Sequence, residues 1–179
     1  MIIINPTQDE LDKANTFMSK YKVGSFGKNV LGVSEDEFYH FIRIGKLCEI
    51  TFTNYLIQEG VSINNKDMLV PCEDEFRQGA DFILIKTNQE VDIKAGNKPF
   101  HTRLLIREDQ FQAHIHDIYI GARWVSDNKI EFYGYEMGSL LKNITPANFG
   151  TGPCRHKKLA ELKPIERFIE LAKAGNKIN

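Results

Sequence analysis

A chain of 179 residues with 42% hydrophobic and 26% charged side chains is long enough to bury a substantial core, and its composition excludes disorder as the default. A formal net charge of −1 excludes a molecule coated in basic surface, while leaving room for local clusters of cations. No apolar run approaches a bilayer span, and Met1-Ile2-Ile3-Ile4-Asn5-Pro6 lacks the basic start and long hydrophobic segment of a secretory signal, so a cytoplasmic location is expected.

Taken in chain order, Thr7-Gln8-Asp9-Glu10 matches a capping box and predicts a helix from about 8 to 21. The next segment, 22–32, carries Gly24, Gly27 and Gly32 and reads as a loop. Within it, Gly24-Ser25-Phe26-Gly27-Lys28 lacks the full spacing of a phosphate loop and a strand before it, so a connector is expected. Ser34-Glu35-Asp36-Glu37 is a second capping box, with Val33 and Phe38 as a candidate hydrophobic staple. The helix it opens should run from 35 to about 59 and end near Gly60. Its apolar residues, among them Phe38, Phe41, Ile42, Leu47 and Ile50, nearly encircle it, which predicts packing on more than one side. Arg43, Lys46 and Glu49 recur at spacings of three and form one polar stripe.

Met68-Leu69-Val70-Pro71 reads as a short edge strand, because Pro71 cannot donate to a central ladder. The stretch that carries most of the chemistry follows. Phe82-Ile83-Leu84-Ile85 and Val91-Asp92-Ile93 flank the polar break Lys86-Thr87-Asn88-Gln89, which predicts a hairpin with its loop over 86–89. That register pairs Ile85 with Glu90, Ile83 with Asp92 and Asp81 with Lys94. Alternation then puts Asp81, Asp92 and Lys94 on one face, and Phe82, Leu84, Val91, Ile93 and Ala95 on the apolar other. Asp81 and Asp92 become diagonal neighbours within reach of one cation. An odd-length loop would send Asp81 to the opposite face.

Further strands are expected over Arg103–Ile106, within Ile115–Val125 and over Ile130–Tyr135, with a helical turn over Glu108–Ala113 and a turn at Asp127-Asn128. A brief helix over Met137–Leu141, a loop over Thr145–Pro153 and a last helix from about 164 to 174, opened by Pro164, complete the chain. Helices, then strands, then a helix predict an α+β fold with a central mixed β-sheet flanked by helices. No repeat or linker divides it, so a single domain over 1–179 is expected.

Two carboxylates and a lysine on one polar face suit a hard cation such as Mg²⁺, with the lysine placed to orient water or offset developing charge. Asp81, ten residues, then Asp92-Ile93-Lys94 on the following strand also resembles the signature of the PD-(D/E)xK nuclease superfamily, which includes type II restriction endonucleases, resolvases and recombination nucleases. Ala80 stands where that family often has proline. The family often adds a carboxylate from a helix upstream, and Glu49 is the residue that fits. The resemblance runs from that helix through the hairpin to the next helix and strand. It implies a restriction-endonuclease-like core and a Mg²⁺-dependent endonuclease, with Mn²⁺ as substitute, acting on DNA. It also implies Asp81, Asp92 and Glu49 as metal ligands, Lys94 beside them, and a homodimer. Of the three acid-x-Lys triplets in the chain, Asp127-Lys129 lies in a turn and Glu161-Lys163 precedes a proline, so neither has the strand context.

Candidate DNA contacts are Arg43 and Lys46 on the helix, Arg103, Arg107 and Arg123 among the strands, and the cluster Arg155, Lys157 and Lys158. Gln110 is a candidate for positioning water or phosphate, by resemblance to nucleases with a polar side chain after the acid-x-Lys strand. Residues 151–179 hold seven Lys and Arg against three Glu, a local excess of four. The Arg43–Lys46–Glu49 stripe reads equally as a solvated ion-pair face, and the C-terminal cluster equally as a solvated helix flank. Trp124 reads as core. His114-Ile115-His116 puts two imidazoles on one strand face, but a zinc site needs two more ligands, and Cys154-Arg155-His156 complements it poorly. Cys48, Cys72 and Cys154 are odd in number without paired spacing, which points to a reducing setting and selects none as a nucleophile. Two alternatives stand beside a restriction-like enzyme: a repair or recombination nuclease, and a non-catalytic nucleic-acid-binding protein on the same scaffold.

Overall fold

Two reciprocal capping boxes set the starts of the first helices in the computed structural model, which describes residues 1–20, 34–66, 68–69, 79–150 and 152–179. At α1 (Gln8–Lys20), Thr7 N–H donates to Glu10 Oε2 at 2.9 Å and Glu10 N–H to Thr7 Oγ1 at 3.3 Å. Ser34 and Glu37 make the same exchange at α2 (Glu35–Gln58). Beyond α2 the chain turns through Gly60, whose φ of +83° suits a residue without a side chain. The Val33 staple, the glycine loop 22–32, Val70, Pro71 and Cys72 lie outside the described residues.

The apolar girth of α2 is used on two sides, against α1 and against the sheet strands β4 (Gln89–Gly96) and β6 (Ile118–Ser126). The sheet runs in the order β1 (Ile2–Ile4), β7 (Lys129–Met137), β6, β4, β3 (Phe82–Leu84), β2 (Ile63–Asn64). A last short strand, β10 (Lys163–Pro164), also pairs with β7. Among these strands only β4 and β6 run parallel. Parallel neighbours need a crossover, and this one contains β5 (Arg103–Arg107) and α3 (Glu108–Ala113). β5 leaves the main sheet and pairs with β9 (Pro153–Lys158), which pairs with β8 (Ala147–Asn148). Two further helices, α4 (Gly138–Leu141) and α5 (Ile165–Ala174), complete the described elements, with a 3-10 turn at Leu159–Glu161. The fold is α+β, a central mixed sheet with flanking helices, as the sequence predicts. Among the described residues no helix is long and apolar enough to cross a membrane.

The main core lies between the sheet and helices α1, α2 and α5. Phe52 of α2 stacks on Phe132 of β7 at 4.6 Å between ring centroids, with Phe168 of α5 at 6.1 Å and Phe82 of β3 at 6.5 Å. Along β6, Ile118 and Ile120 point into this core, while Tyr119 alternates to the other face. There it joins a smaller core with Leu104, Ile106, Phe111, Leu141, Leu159 and Leu162 under the second sheet.

The hairpin forms with its expected faces but in a shifted register. Phe82 pairs with Val91, Ile83 with Glu90 and Leu84 with Gln89, so the loop covers 85–88 instead of 86–89. Two features move it. Asn88 adopts φ +54° and its N–H donates to Leu84 O at 2.8 Å, closing the turn one residue early. Gln89 is drawn inside because its amide exchanges hydrogen bonds with the Ile178 backbone at 2.8 and 2.9 Å. The loop remains even in length, so Asp81, Asp92 and Lys94 keep one face, joined by Glu90. The pairs expected between Ile83 and Asp92 and between Asp81 and Lys94 are therefore replaced: one step further along the observed register sets Asp81 across from Asp92. Met68 and Leu69 lie in a turn, not a strand, and the expected loop over 145–153 contains β8.

Candidate active site

The apolar face of the hairpin fixes the polar one. Phe82, Leu84, Val91 and Ile93 are buried in the main core, and Ala95 packs against it, so Asp81, Glu90, Asp92 and Lys94 must point the other way. Asp92 sits beside Tyr119 in the parallel ladder and is 6% exposed. Lys94 Nζ donates to Asp92 Oδ1 at 3.3 Å. Asp92 Oδ2 lies 3.0 Å from the same ammonium but off the hydrogen-bond direction, and is buried without a hydrogen-bond partner. The Lys94 ammonium, within reach of both oxygens, thus offsets the charge of this buried carboxylate.

Asp81 stands at the mouth of β3, where its Oδ2 accepts the Ile93 N–H at 2.6 Å. Burial pushes its carboxyl well above the usual range, and the charges of Glu49 and Asp92 push it further; Lys94 and the Ile93 N–H pull it back only in part. Burial alone would lower the Lys94 ammonium, but Asp92 and Asp81 outweigh it and hold the pKa above its ordinary value. Lys94 is thus a fixed cation. Glu49, in the middle of α2, acts on Asp81 through its charge, while its Oε2 is paired with Lys46, whose ammonium also lies 4.8 Å over the Phe17 ring. Asp81, Asp92 and Lys94 thus share one buried polar face, and Glu49, the residue the resemblance adds, acts on Asp81 as a further negative charge.

No protein-family model, no curated protein and no solved structure matches the chain.

An oxygen-only carboxylate set suits a hard divalent ion, and such an ion would relieve the repulsion that Glu49 and Asp92 exert on Asp81. Among the described residues, however, the one group of three ligand atoms that lie within 4.8 Å of one another is Glu90, His114 and His116. Glu90 did not stand out in the sequence. Its place two residues before Asp92, on the same strand face, was the available signal; that His114 and His116 meet it depends on the β4–β6 pairing.

The cations expected to meet DNA are largely engaged within the chain. Arg43 forks Asp127 at 2.9 and 3.0 Å instead of joining Lys46 and Glu49 in a stripe, and also donates to Asn15 at 2.8 Å. Arg123 pairs with Glu131, and Arg107 with Asp109. Arg155 forks Glu108 and donates to the Lys142 and Ile144 carbonyls, while Lys157 is paired with the buried Glu136. Arg103 contacts His156 Nδ1 at 3.2 Å and lies over the Phe149 ring. Lys158 is exposed and pairs with Glu161 at 3.2 Å. Gln110 is half-buried in α3, its N–H donating to Asp109. Trp124 is partly buried against the main core, with its indole N–H donating to Asp127 at 3.3 Å.

Cys48 and Tyr119, both buried, are held in their protonated forms. Burial pushes the Cys48 thiol far up, keeping it protonated, and pushes the Tyr119 hydroxyl up to about 12.

Proposed function

We propose that the chain is a metal-dependent DNA endonuclease that hydrolyses phosphodiester bonds in the manner of type II restriction enzymes. The observation that carries this reading is the shared polar face of Asp81, Asp92 and Lys94, with the Lys94 ammonium 3.0 Å from Asp92 Oδ2 and Asp81 Oδ2 held on the Ile93 N–H. The resemblance to the PD-(D/E)xK superfamily supports it through the same residues. Asp81 and Asp92, with Glu49, would hold Mg²⁺ or Mn²⁺, which polarises the scissile phosphate and acidifies a bound water.

The residues themselves do the rest. Lys94, kept protonated by its two aspartates, sets a cation where charge accumulates on the phosphorane-like transition state. Its hydrogen bond to Asp92 fixes that ammonium against the strand, so no reorganisation is needed when the charge develops. Since Lys94 enters as the ammonium, it orients and stabilises and does not take a proton. Asp81, anchored on the Ile93 N–H, is the group whose proton must leave before the cluster carries its full negative charge. The homodimer implied by restriction enzymes belongs to the same proposal.

The test is digestion of plasmid and phage DNA in Mg²⁺, Mn²⁺ and EDTA. Wild type should cut only with metal, and Lys94→Ala and Asp92→Asn should each lose at least about 100-fold in rate, the scale of removing one preorganised charge. Turnover retained in Lys94→Ala would sink the reading. DNA retention that ignores both metal and Asp92 would support a binding module instead.

A further inference from the structure

Three ligand atoms of a different character meet at the start of β4. Glu90 Oε2 lies 2.5 Å from His114 Nε2 and 3.1 Å from His116 Nδ1, and the three are within 4.8 Å of one another. Zinc bound by nitrogen and oxygen at about 2.0–2.1 Å sets neighbouring ligand atoms about 3.3 Å apart in a tetrahedron; Glu90 and His116 already stand near that spacing, and the exposed His114 must swing out by about 0.8 Å from Glu90 to reach it. Two imidazoles with one carboxylate suit a borderline transition ion, whereas Mg²⁺ prefers oxygen and water. We propose that Glu90, His114 and His116 bind a divalent transition ion of the zinc class, with a fourth position open to solvent.

The backbone around the trio is fastened before any ion arrives. Glu90 N–H donates to Asp117 Oδ2 at 2.9 Å, and Gly138 N–H to Asp117 O at 2.9 Å. His116 N–H donates to the Tyr119 hydroxyl at 3.2 Å. A Cβ on Gly138 would lie 2.1 Å from His116 O, so only glycine lets α4 close against the segment that carries the histidines. His116 Nε2 faces Asp92 Oδ1 at 3.9 Å, too long for a hydrogen bond but on the side from which a carboxylate orients a metal-binding imidazole. Side-chain exposure grades from 5% at His116 through 35% at Glu90 to 49% at His114, a buried floor with an open rim for entry.

The site adjoins the Glu49–Asp81–Asp92–Lys94 group through Asp92 but shares no ligand with it, and it does not depend on the nuclease reading. Bound there, an ion ties the entry of β6 to the start of β4, across the one parallel pair of the sheet.

Metal-stripped protein titrated with Zn²⁺ by calorimetry, and with Co²⁺ by visible absorption, tests this. Expected are one Zn²⁺ per chain and Co²⁺ ligand-field bands that Zn²⁺ abolishes, with Mg²⁺ unable to do so. His114→Ala and Glu90→Gln should weaken Zn²⁺ binding at least about tenfold. His114 is at the surface, so the folded state of that variant is checkable by circular dichroism. Glu49→Gln should bind Zn²⁺ as wild type does. Absence of stoichiometric Zn²⁺ binding by folded wild type would overturn the proposal, as would undiminished binding by folded His114→Ala. Loss in Glu49→Gln with retention in His114→Ala would also overturn it, by assigning the ion to the carboxylate cluster.

Discussion

Asp81 carries an electrostatic penalty that reveals more than its position does. Its carboxyl sits above the usual range because burial, Glu49 and Asp92 all disfavour the anion. For an acid raised in the folded state, the native protein keeps its proton after the unfolded chain has lost one. Stability from this group is therefore greatest below the unfolded value and falls as pH rises towards the raised one. At neutral pH the metal-free fold bears that cost. Asp81→Asn should remove it, raising the Tm of metal-free protein at neutral pH by a few degrees while abolishing metal-dependent cleavage. At pH 3, below the unfolded value, the two proteins should melt alike. Thermal unfolding with EDTA at both pH values, beside a cleavage assay, checks this; an Asp81→Asn protein less stable than wild type at neutral pH would show that the aspartate is a strand cap and nothing more. Proton and metal compete for the same oxygens, so wild-type cleavage should rise with pH as Asp81 deprotonates, an effect absent from a group with no strain.

At the scale of elements, packing and local chemistry were readable to different depths. The two capping boxes, the apolar face of the hairpin and the girth of α2 follow from spacing alone, since each rests on contacts a few residues apart or on a period of two or 3.6. The hairpin register was missed by two residues, the loop by one, because Gln89 is captured by Ile178, a partner at the far end of the chain. β9 was missed for another reason: Pro-Cys-Arg-His-Lys-Lys has no apolar alternation, and it is a strand because it pairs with β5 and β8, its Arg155 and Lys157 meeting Glu108 and Glu136 across the fold. Likewise the cluster of Glu49, Asp81, Asp92 and Lys94 was legible through one helix and one hairpin, whereas Glu90 beside His114 and His116 required the β4–β6 crossover. The hub of these elements is Phe52, in ring contact with Phe82, Phe132 and Phe168 from three other elements. Phe52→Ala should cost about 3–5 kcal/mol in denaturant unfolding, the range for emptying a buried aromatic site. Ser34→Ala at the cap of α2 should cost about 1 kcal/mol, since it removes one hydrogen bond at an exposed helix start. A reversed order of the two would mean that α2 is held by its ends and not by its face.

Across the whole molecule, charges that sum to nearly zero are sorted into pairs that join distant parts of the sheet, and this makes the fold acid-sensitive. Glu131 is the clearest case. Burial alone would raise its pKa, but Tyr133, Lys129 and Arg123 outweigh it and bring the carboxyl down to about 2. Its Oε2 accepts from Tyr133 at 2.7 Å and from Arg123 at 2.6 and 3.0 Å, tying β6 to β7. An acid lowered in the folded state stabilises above its unfolded value, and that stability is lost as pH falls through the folded one. The window runs from 4.5, the ordinary value for glutamate, down to about 2. Glu108, with Arg155, and Asp127, with Arg43, are lowered in the same direction and add to the slope. Asp81 runs against them, because its protonation in acid relieves the fold. Glu131→Gln should therefore lose on the order of 2 kcal/mol at pH 7, since the Arg123 and Lys129 charges lose a buried partner. The same variant should approach wild type as both are titrated towards pH 2. Denaturant unfolding at several pH values measures both arms. Moderate salt should leave the difference largely in place, because ions screen buried pairs poorly; a difference erased by salt would place Glu131 among surface charges, and the acid sensitivity would then have to come from elsewhere in the sheet.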